Sequence, residues 1–251
     1  MTSPIHIQNT ATDPALRAQQ KLRAQHTLRR CGDELLAELT VKVELASDLQ
    51  LPLALREEVR DRLIAFCASR LVRYCLATDR VLYSVAAGAA ETRLLVRALR
   101  AQHDLLAVRI AELNRADSSA EFAASAHALV GLLAVCHRVE QEVLIPALAV
   151  LPGVDLSVLA EDVDTLLAGG ALSTPGVVDV REIPHGRRHP RILGVYGRLA
   201  PGESFVLVNN HDPKPLRREF QATYPDRFGW DYLEAGPERW RVRIGRLPVD
   251  A

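Results

Sequence analysis

Aromatic residues, cysteines and net charge are all scarce in this sequence, and each shortage excludes a class of protein. Only 5% of the 251 residues are aromatic, although 48% are hydrophobic, which favours close-packed helices rich in Leu, Ala and Val. The four cysteines form no CxxC pair and are too few for a disulfide scaffold. They predict a reducing, cytoplasmic setting.

Basic and acidic residues are equal in number, 31 of each, so there is no general attraction to nucleic acid or to an anionic membrane. The longest apolar stretch, "ALVGLLAVC" from Ala128, is shorter than a membrane-spanning helix requires, and the first residues lack a signal-peptide pattern. We therefore expect no nucleic-acid and no membrane partner. The sequence also lacks a nucleophile–base pair, a phosphate loop and a dinucleotide fingerprint, which favours a protein that is not an enzyme.

Residues 14–168 have the periodicity of long helices. Apolar residues recur at spacings of three and four, and glycines are rare. We predict an up-down four-helix bundle, followed by a short tail helix that ends at Gly169 and Gly170. The four long helices are expected over residues 14–46, 53–87, 91–114 and 120–150.

A change of pattern marks a second domain over residues 177–248, after a linker at 169–176 with the sequence "GGALSTPG". Short strands and helices alternate there in the order β-α-β-α-β-β, which predicts a small α/β sandwich. Pro190 is expected in the first turn of its first helix, and Trp230 and Trp240 as core or cross-strand partners in a hairpin. The predicted fold class is therefore α plus α/β.

Several potential metal ligands lie in the helical region. Cys136 and Glu140 are spaced i, i+4 and His137 and Glu140 i, i+3, so each pair can share a helix face. His26 in the first helix and His103 in the third could meet them at one level, since bundle metal sites are built from inward side chains of several helices. The exact helix register decides whether Cys136 or His137 points inward.

This part of the chain, roughly residues 15–150, resembles the hemerythrin-like family of non-heme di-iron proteins. "DRVLYSVA" is similar to the end of that family's second helix, and "EVLIPAL" to the end of its fourth. The resemblance implies an up-down four-helix fold and places His26, His103 and Glu140 on ligand positions. The other three ligand positions, where the family has His, Glu and His, hold Tyr74, Thr78 and Cys136.

Three outcomes stay open for this site. A di-iron centre needs bridging carboxylates, and with Thr78 in place of Glu only Glu140 supplies one, since Asp79 lies about 100° further around the helix. A mononuclear or altered site could hold iron, with Tyr74 as a phenolate ligand, or zinc, which suits a Cys136 thiolate. Without a metal, the same side chains would form a buried polar network.

Polar loops follow both strands of the β-α-β unit predicted in the second domain. The carboxyl ends of parallel strands meet at one edge of a sheet, where ligands usually bind, and each loop opens a helix whose free N–H groups favour an anion. A small anion, or a metal on His189, His211 and Asp212, could bind there, or these are ordinary loop residues. The candidate anion- or partner-binding residues are His185, Arg188, His189, Asn210, His211, Asp212 and Lys214.

The second domain strongly resembles domain-of-unknown-function family 2249, which often accompanies hemerythrin-like domains. The matching segments include "DVREIP", "LAPGESFVLVNNHDPKPL" and "FGWDYLEAGPERWRVRI", and they span nearly all of residues 178–244. The resemblance implies a fold like that of small bacterial sulfur carriers. The carriers' cysteine is missing, because no cysteine follows Cys136, so this domain is not expected to transfer sulfur through a thiol.

Two functional hypotheses follow. In the first, the chain is a cytoplasmic hemerythrin-like protein that binds iron or another metal at an altered site and senses or handles oxygen, nitric oxide or redox state. In the second, a metal-free bundle acts as an interaction or regulatory module, and the C-terminal domain binds an anion or a protein partner. Changing Thr78→Glu together with Tyr74→His is expected to restore di-iron absorption if the rest of the site survives.

Overall fold

The computed structural model describes residues 14–248 and begins with four long helices and a shorter fifth. Their bounds agree with the predicted ones to within a few residues. The helices are α1 (Pro14–Ala46), α2 (53–87), α3 (Arg93–Arg115), α4 (Ser119–Leu148) and α5 (Leu156–Leu167).

Side-chain caps mark two of the helix starts. At α4, the Ser118 hydroxyl accepts a hydrogen bond from the Glu121 backbone N–H at 3.2 Å, and the Glu121 carboxylate accepts one from the Asp117 N–H. At α5, the Asp155 carboxylate accepts from the Ser157 N–H at 2.9 Å. These side chains satisfy N–H groups that have no partner within the helix, so short polar residues decide where both helices begin.

Widened, π-helical turns interrupt α2 and α4. In α2 they cover Cys67–Leu71 and Asp79–Tyr83, and in α4 the turn Glu140–Leu144 comes just before Pro146. A proline removes one helix hydrogen bond and crowds the preceding turn, so the widened turn accommodates Pro146. Each π turn also carries one extra residue and rotates the side chains that follow by about 100° relative to a regular α-helix.

The helices of the N-terminal region pack side by side. Helix α1 contacts α2, α4 and α5, and α3 contacts α2 and α4. Their apolar faces enclose two clusters of buried side chains. One cluster is entirely helical and includes Leu39, Leu63 and Phe122. The other joins helical residues such as Leu148 to Phe205 and other side chains of the C-terminal domain, so the two regions share a core.

The C-terminal domain is a mixed four-stranded sheet with two helices, in the predicted order β-α-β-α-β-β. Its elements are β1 (Val177–Asp179), α6 (His185–Arg198), β2 (Ser204–Asn209), α7 (Lys214–Thr223), β3 (Phe228–Ala235) and β4 (Trp240–Arg246). The strand order is β1-β2-β4-β3, with β1 parallel to β2 and the other neighbours antiparallel. Trp230 packs on Phe220, and Trp240 packs on Tyr232 of the adjacent strand.

Two local expectations for this domain are wrong. Pro190 does not open a helix, because α6 begins earlier, at His185 after Pro184, and Pro190 lies inside it. Strand β1 is also shorter than the strand "VVDVREI", residues 177–183, that the sequence pattern predicts. It ends at Asp179, whose carboxylate accepts hydrogen bonds from the backbone N–H and the guanidinium of Arg181 and so closes a turn.

Helix α6 fastens the C-terminal domain to α2 through glycines. A Cβ added at Gly197 would lie 2.1 Å from the Arg80 carbonyl oxygen, and one at Gly194 would lie 2.9 Å from a Val85 methyl group. The Arg80 guanidinium also donates hydrogen bonds to three carbonyl groups at the C-terminal end of α6. Because the backbones approach this closely, the π turn Asp79–Tyr83 is held directly beneath the C-terminal domain.

Helix α4 is, by length and composition, the one helix within residues 14–248 that is long and apolar enough to cross a membrane. The core helix of a soluble protein can satisfy the same test. In this helix Cys136, His137 and Glu140 are buried, and the helix packs against α1 and α3. The absence of a membrane partner stays a prediction.

Candidate functional site

The carboxylate of Glu140 is the centre of a buried polar cluster, and its residue is 1% exposed. The Tyr74 hydroxyl donates to Glu140 Oε2 at 2.7 Å, and the Tyr83 hydroxyl donates to Oε1. Both carboxylate oxygens therefore have a phenol partner from α2, which offsets the cost of burying a charge. Tyr74 belongs to the wholly helical core and Cys136 to the shared one, so the cluster lies where the two cores meet.

Three potential metal ligands come together at His103, Cys136 and Glu140. A ring nitrogen, the thiol sulfur and a carboxylate oxygen all lie within 4.8 Å of one another, and no other such group occurs within residues 14–248. The Tyr83 hydroxyl lies among them, 3.1 Å from His103 Nε2 and 3.9 Å from Cys136 Sγ. This phenol therefore contacts every member of the three-ligand group.

His137 approaches Glu140 from the side of α1. Its Nε2 is 2.8 Å from Asp33 Oδ1, while its buried Nδ1 lies 4.0 Å from Glu140 Oε2 and has no hydrogen-bond partner. Gly32 makes room for the ring, because a Cβ there would lie 2.1 Å from His137 Cε1. Both Cys136 and His137 thus face the interior, Cys136 toward α2 and His137 toward α1.

Burial keeps the two tyrosines and the cysteine of this cluster protonated. It raises the pKa of the Tyr74 and Tyr83 phenols well above their usual range, and the Glu140 charge raises these pKa values further. The same two causes raise the pKa of the Cys136 thiol. Around neutral pH the two phenols and the thiol are therefore uncharged.

The surroundings shift the pKa values of His103 and His137 in opposite directions. Burial lowers the pKa of His103, and the nearby carboxylates only partly oppose it, so this ring is held neutral and is suited to bind a metal. Burial would also lower the pKa of His137, but the carboxylates of Glu140 and Asp33 outweigh it and the pKa is raised. His137 therefore serves as a partner for the two carboxylates.

The structure does not bring His26 to the cluster, contrary to the expectation from sequence. Its side chain is exposed on α1. His26 lies two residues from both Ala24 and Leu28, which are buried, and two residues correspond to about 200° around a helix. Helix α1 contributes Gly32 and Asp33 to the site instead, through their contacts with His137.

The residues present do not fit a di-iron centre. The Thr78 hydroxyl donates to the Tyr74 and Cys75 carbonyl groups of its own helix. The Asp79 carboxylate accepts a hydrogen bond from Arg100 Nε at 2.6 Å. Glu140 is left as the one carboxylate of the three-ligand group, and one carboxylate is too few to bridge two hard cations and offset their charge. The donor set fits a single ion instead.

Sequence reasoning missed Tyr83, Gly32 and Asp33. Tyr83 follows Tyr74 by nine residues, which on a regular α-helix would put the two side chains about 180° apart. The π turn Asp79–Tyr83 removes about 100° of this separation, and both phenols reach Glu140. The close approach at Gly32 had a visible signal, because an isolated glycine inside a helical pattern often has a packing reason.

A cavity of about 450 Å³ reaches this cluster at His103. It lies between α2, α3 and the residues that follow α7, and apolar side chains form most of its wall. Arg100 also lines it, bound to Asp79 and to the Thr223 carbonyl. Because His103 belongs to both the cavity wall and the three-ligand group, the cavity borders the buried group at this side chain.

The candidate residues of the C-terminal domain gather near the carboxyl ends of β1 and β2, but the suggested metal trio does not form. His189 Nδ1 pairs with Glu219 Oε2 at 2.6 Å, and the Asp212 carboxylate pairs with Lys214 Nζ at 3.1 Å. His189, His211 and Asp212 are not among the three-ligand groups found within residues 14–248. Each of these two carboxylates thus already has a basic partner, and Glu219 also pairs with Arg93 Nη2 at 2.6 Å.

Four other side chains of this edge meet at a small cavity lined by His185, Arg188, Asn209 and His211. The rings of His185 and His211 stack with their centroids 6.4 Å apart and their planes 8° apart. His211 Nδ1 also lies 2.8 Å from Asn210 Oδ1. Arg188 and Asn209 are buried, so this edge contains a built polar pocket.

Comparison with known proteins bears on the C-terminal domain alone. Residues 177–246 match the model of a family described as an uncharacterized conserved protein, DUF2249, which confirms the resemblance predicted for this segment. The match does not extend to the helical region. No curated protein matches the chain, and no solved structure matches it.

Proposed function

We propose that the chain is a hemerythrin-like protein that binds a single metal ion at His103, Cys136 and Glu140 and responds to oxygen, nitric oxide or redox state. The observation that carries the proposal is the convergence of three ligand atoms within 4.8 Å of one another. They come from different residue types on α3 and α4, which is how metal sites in helical bundles are built.

The proposed fold of the helical region is the up-down four-helix bundle of the hemerythrin-like family. Its support is that helices α1 to α4 each contact their neighbours along the chain and that α4 also contacts α1. Four free cysteines agree with the proposed cytoplasmic, reducing setting.

The donor set favours zinc or iron as a single ion. A thiolate and an imidazole are common zinc ligands, and imidazole with a carboxylate also suits iron. His103 is held neutral by burial, as a ligand must be, and the Cys136 thiol would lose its proton on binding. Tyr83 contacts all three ligands and would stay beside the ion as a further donor.

An iron ion held there would supply a position at which oxygen or nitric oxide binds. The protein itself would provide a route for a small molecule to the ion and surroundings that exclude water. The cavity of about 450 Å³ is lined in part by His103, and Tyr74, Cys136 and Glu140 are all buried. Such surroundings exclude bulk water while admitting a small apolar molecule.

A second function is favoured by the hydrogen bonds of Glu140. Both of its oxygens already accept a bond from a phenol, and the Tyr83 hydroxyl occupies the space among the three ligands. In this case the cluster is a self-satisfied polar network, and the helical region acts as a metal-free interaction or regulatory module.

Elemental analysis separates the two functions. The full chain is loaded anaerobically with Fe(II), or separately with Zn(II), desalted and analysed. We expect about one ion per chain, lost in Cys136→Ser and Glu140→Gln but retained in the control Cys31→Ala, whose thiol bonds to Asp164 away from the cluster. Two irons per chain, or no retained ion, would refute the single-ion site.

A further inference from the structure

A small cavity lies at the carboxyl ends of the parallel strands β1 and β2, far in sequence from the helical cluster. Its volume is about 60 Å³, which is the size of a small inorganic ion. The side chains that line it include His185, Arg188, Asn209 and His211, and no carboxylate is among them. The polar side chains of the lining thus include one guanidinium and no carboxylate.

Arg188 is the fixed cation of this cavity. The residue is 7% exposed, and its guanidinium is oriented by two hydrogen bonds, from Nε to the Ile183 carbonyl at 2.6 Å and from Nη2 to the Arg181 carbonyl at 3.2 Å. The remaining nitrogen, Nη1, is buried and has no hydrogen-bond partner. A buried donor on a charged group is costly when unpaired, so a ligand that accepts from Nη1 would gain the full benefit of that bond.

Asn209 and the rings of His185 and His211 line the same space. Asn209 is 5% exposed. Its Oδ1 accepts from the Asn210 N–H, which orients Nδ2 toward His211 Nε2, 3.5 Å away. Because that contact is long, Asn209 Nδ2 can readily donate to a better acceptor instead. The rings of His185 and His211 stack at the cavity, and either ring donates when protonated.

Two helices begin at this cavity. Helix α6 starts at His185 after Pro184, and α7 starts at Lys214 after Pro213, and neither start is capped by a side chain. The free N–H groups and the dipole of a helix N-terminus attract anions. Residues at both helix starts, His185 and Pro213, line the cavity together with Arg188.

We propose that this cavity binds an oxyanion, held by Arg188 Nη1, the Asn209 amide and the His211 ring. The volume admits one phosphate-, sulfate- or nitrate-sized group. A cation is disfavoured because the cavity is lined by the Arg188 guanidinium and by no carboxylate, and the carboxylates of Asp212 and Glu219 are already paired with Lys214 and His189. The inference concerns the C-terminal domain and does not depend on the metal proposal.

Isothermal titration calorimetry of the full chain tests the proposal. Sodium phosphate, sulfate and nitrate are titrated at constant ionic strength, so that nonspecific charge screening is the same in each run. We expect saturable binding of at least one of them with a stoichiometry of one. An absence of saturable heat for all three anions would overturn the proposal.

Variants locate the site. His211→Asp places a carboxylate at the cavity on an exposed residue and is expected to weaken binding at least tenfold. Arg188→Lys is expected to do the same, and His211→Asp keeps the test valid if Arg188→Lys fails to fold. The control is Arg217→Ala, which removes an exposed positive charge from α7, outside the cavity. Equal weakening by the control and by His211→Asp would refute the site.

A last comparison identifies the source of the oxyanion. Inorganic phosphate and glycerol phosphate present the same chemical group, free or as an ester. Tighter binding of inorganic phosphate would identify a free anion as the ligand, and tighter binding of the ester would identify a phosphorylated small molecule. Either result supports an oxyanion site, provided that His211→Asp abolishes the preference.

Discussion

Gly32 lies against the imidazole ring of His137, and a Cβ at position 32 would come within 2.1 Å of Cε1 and 2.9 Å of the Tyr74 hydroxyl. Helix α1 thus contacts the polar cluster at a glycine, the residue type that has no Cβ and so leaves space for the His137 ring. The ring that fills this space is held at Nε2 by Asp33.

Replacing Gly32 by Ala should therefore destabilise the fold. A methyl group there must displace His137, and overpacking of this kind costs about 1–3 kcal/mol. The control is Gly131→Ala in α4, where an added Cβ meets nothing within 4 Å and alanine should stabilise the helix by about 1 kcal/mol. Urea denaturation measures both changes, and a neutral Gly32→Ala would contradict the tight contact.

Tyr83→Phe removes one of the two hydrogen bonds to Glu140. Without metal we expect a loss of about 1–3 kcal/mol in the free energy of unfolding, because a buried carboxylate oxygen loses its donor. With saturating Zn(II) the loss should shrink, since a cation bound at Glu140 would compensate the charge. Thermal unfolding with and without zinc measures this difference. The same loss in both conditions would argue for the metal-free network.

The double variant Thr78→Glu with Tyr74→His should not restore a di-iron centre. His26 is exposed on α1, so the first helix still supplies no ligand, and Cys136 still occupies a position where the family has His. We expect at most about one iron per chain and no oxo-to-iron absorption, with circular dichroism confirming that the variant is folded. Two irons per chain would show that α1 can rotate His26 inward.

Gly197→Ala should loosen the C-terminal domain from the helical region. The added Cβ would lie 2.1 Å from the Arg80 carbonyl oxygen and 2.6 Å from Ser84, and backbone atoms yield little. We expect a loss of about 3 kcal/mol in the free energy of unfolding and faster hydrogen exchange in α6. Gly186→Ala on the same helix, where nothing lies within 4 Å, is the matched control and should be neutral or stabilising.

Cys31 should react slowly with alkylating reagents although it is only half-buried. Burial raises the pKa of its thiol to about 12, helped by the hydrogen bond to Asp164. Only the thiolate reacts, so the rate at pH 8 should be about 1,000-fold below that of a thiol of pKa about 9, and should rise about tenfold per pH unit up to pH 11. Asp164→Asn, which removes the negative charge, should accelerate the reaction. A rate that levels off near pH 9 would contradict the raised pKa.

The order and bounds of the helices and strands followed from local signals. Apolar spacing marked the long helices, and alternation with turn residues marked the β-α-β-α-β-β order. These signals act between residues close in the chain, so they are legible without the fold. The exceptions, such as the start of α6 before Pro190, are shifts of an element boundary by a few residues.

The cluster of polar residues was predictable only in part. His103, Cys136 and Glu140 were chosen from the sequence and do meet, whereas His26 does not and Tyr83 was overlooked. What distinguishes these residues is the direction in which each side chain points around its helix axis. A regular period of 3.6 residues carries Glu140 and Cys136 to one face, but it also carries Tyr83 away from Tyr74 until a π turn rotates it back.

By itself, then, the sequence determined the helices, the strands, their order and the supply of chemically active side chains, because periodicity and turn chemistry are local properties. Only the tertiary structure decided which of those side chains meet. The π turn at Tyr83, the space at Gly32 and the glycine contacts of α6 all lie where one element packs against another, and packing between elements distant in the chain leaves no local pattern to read.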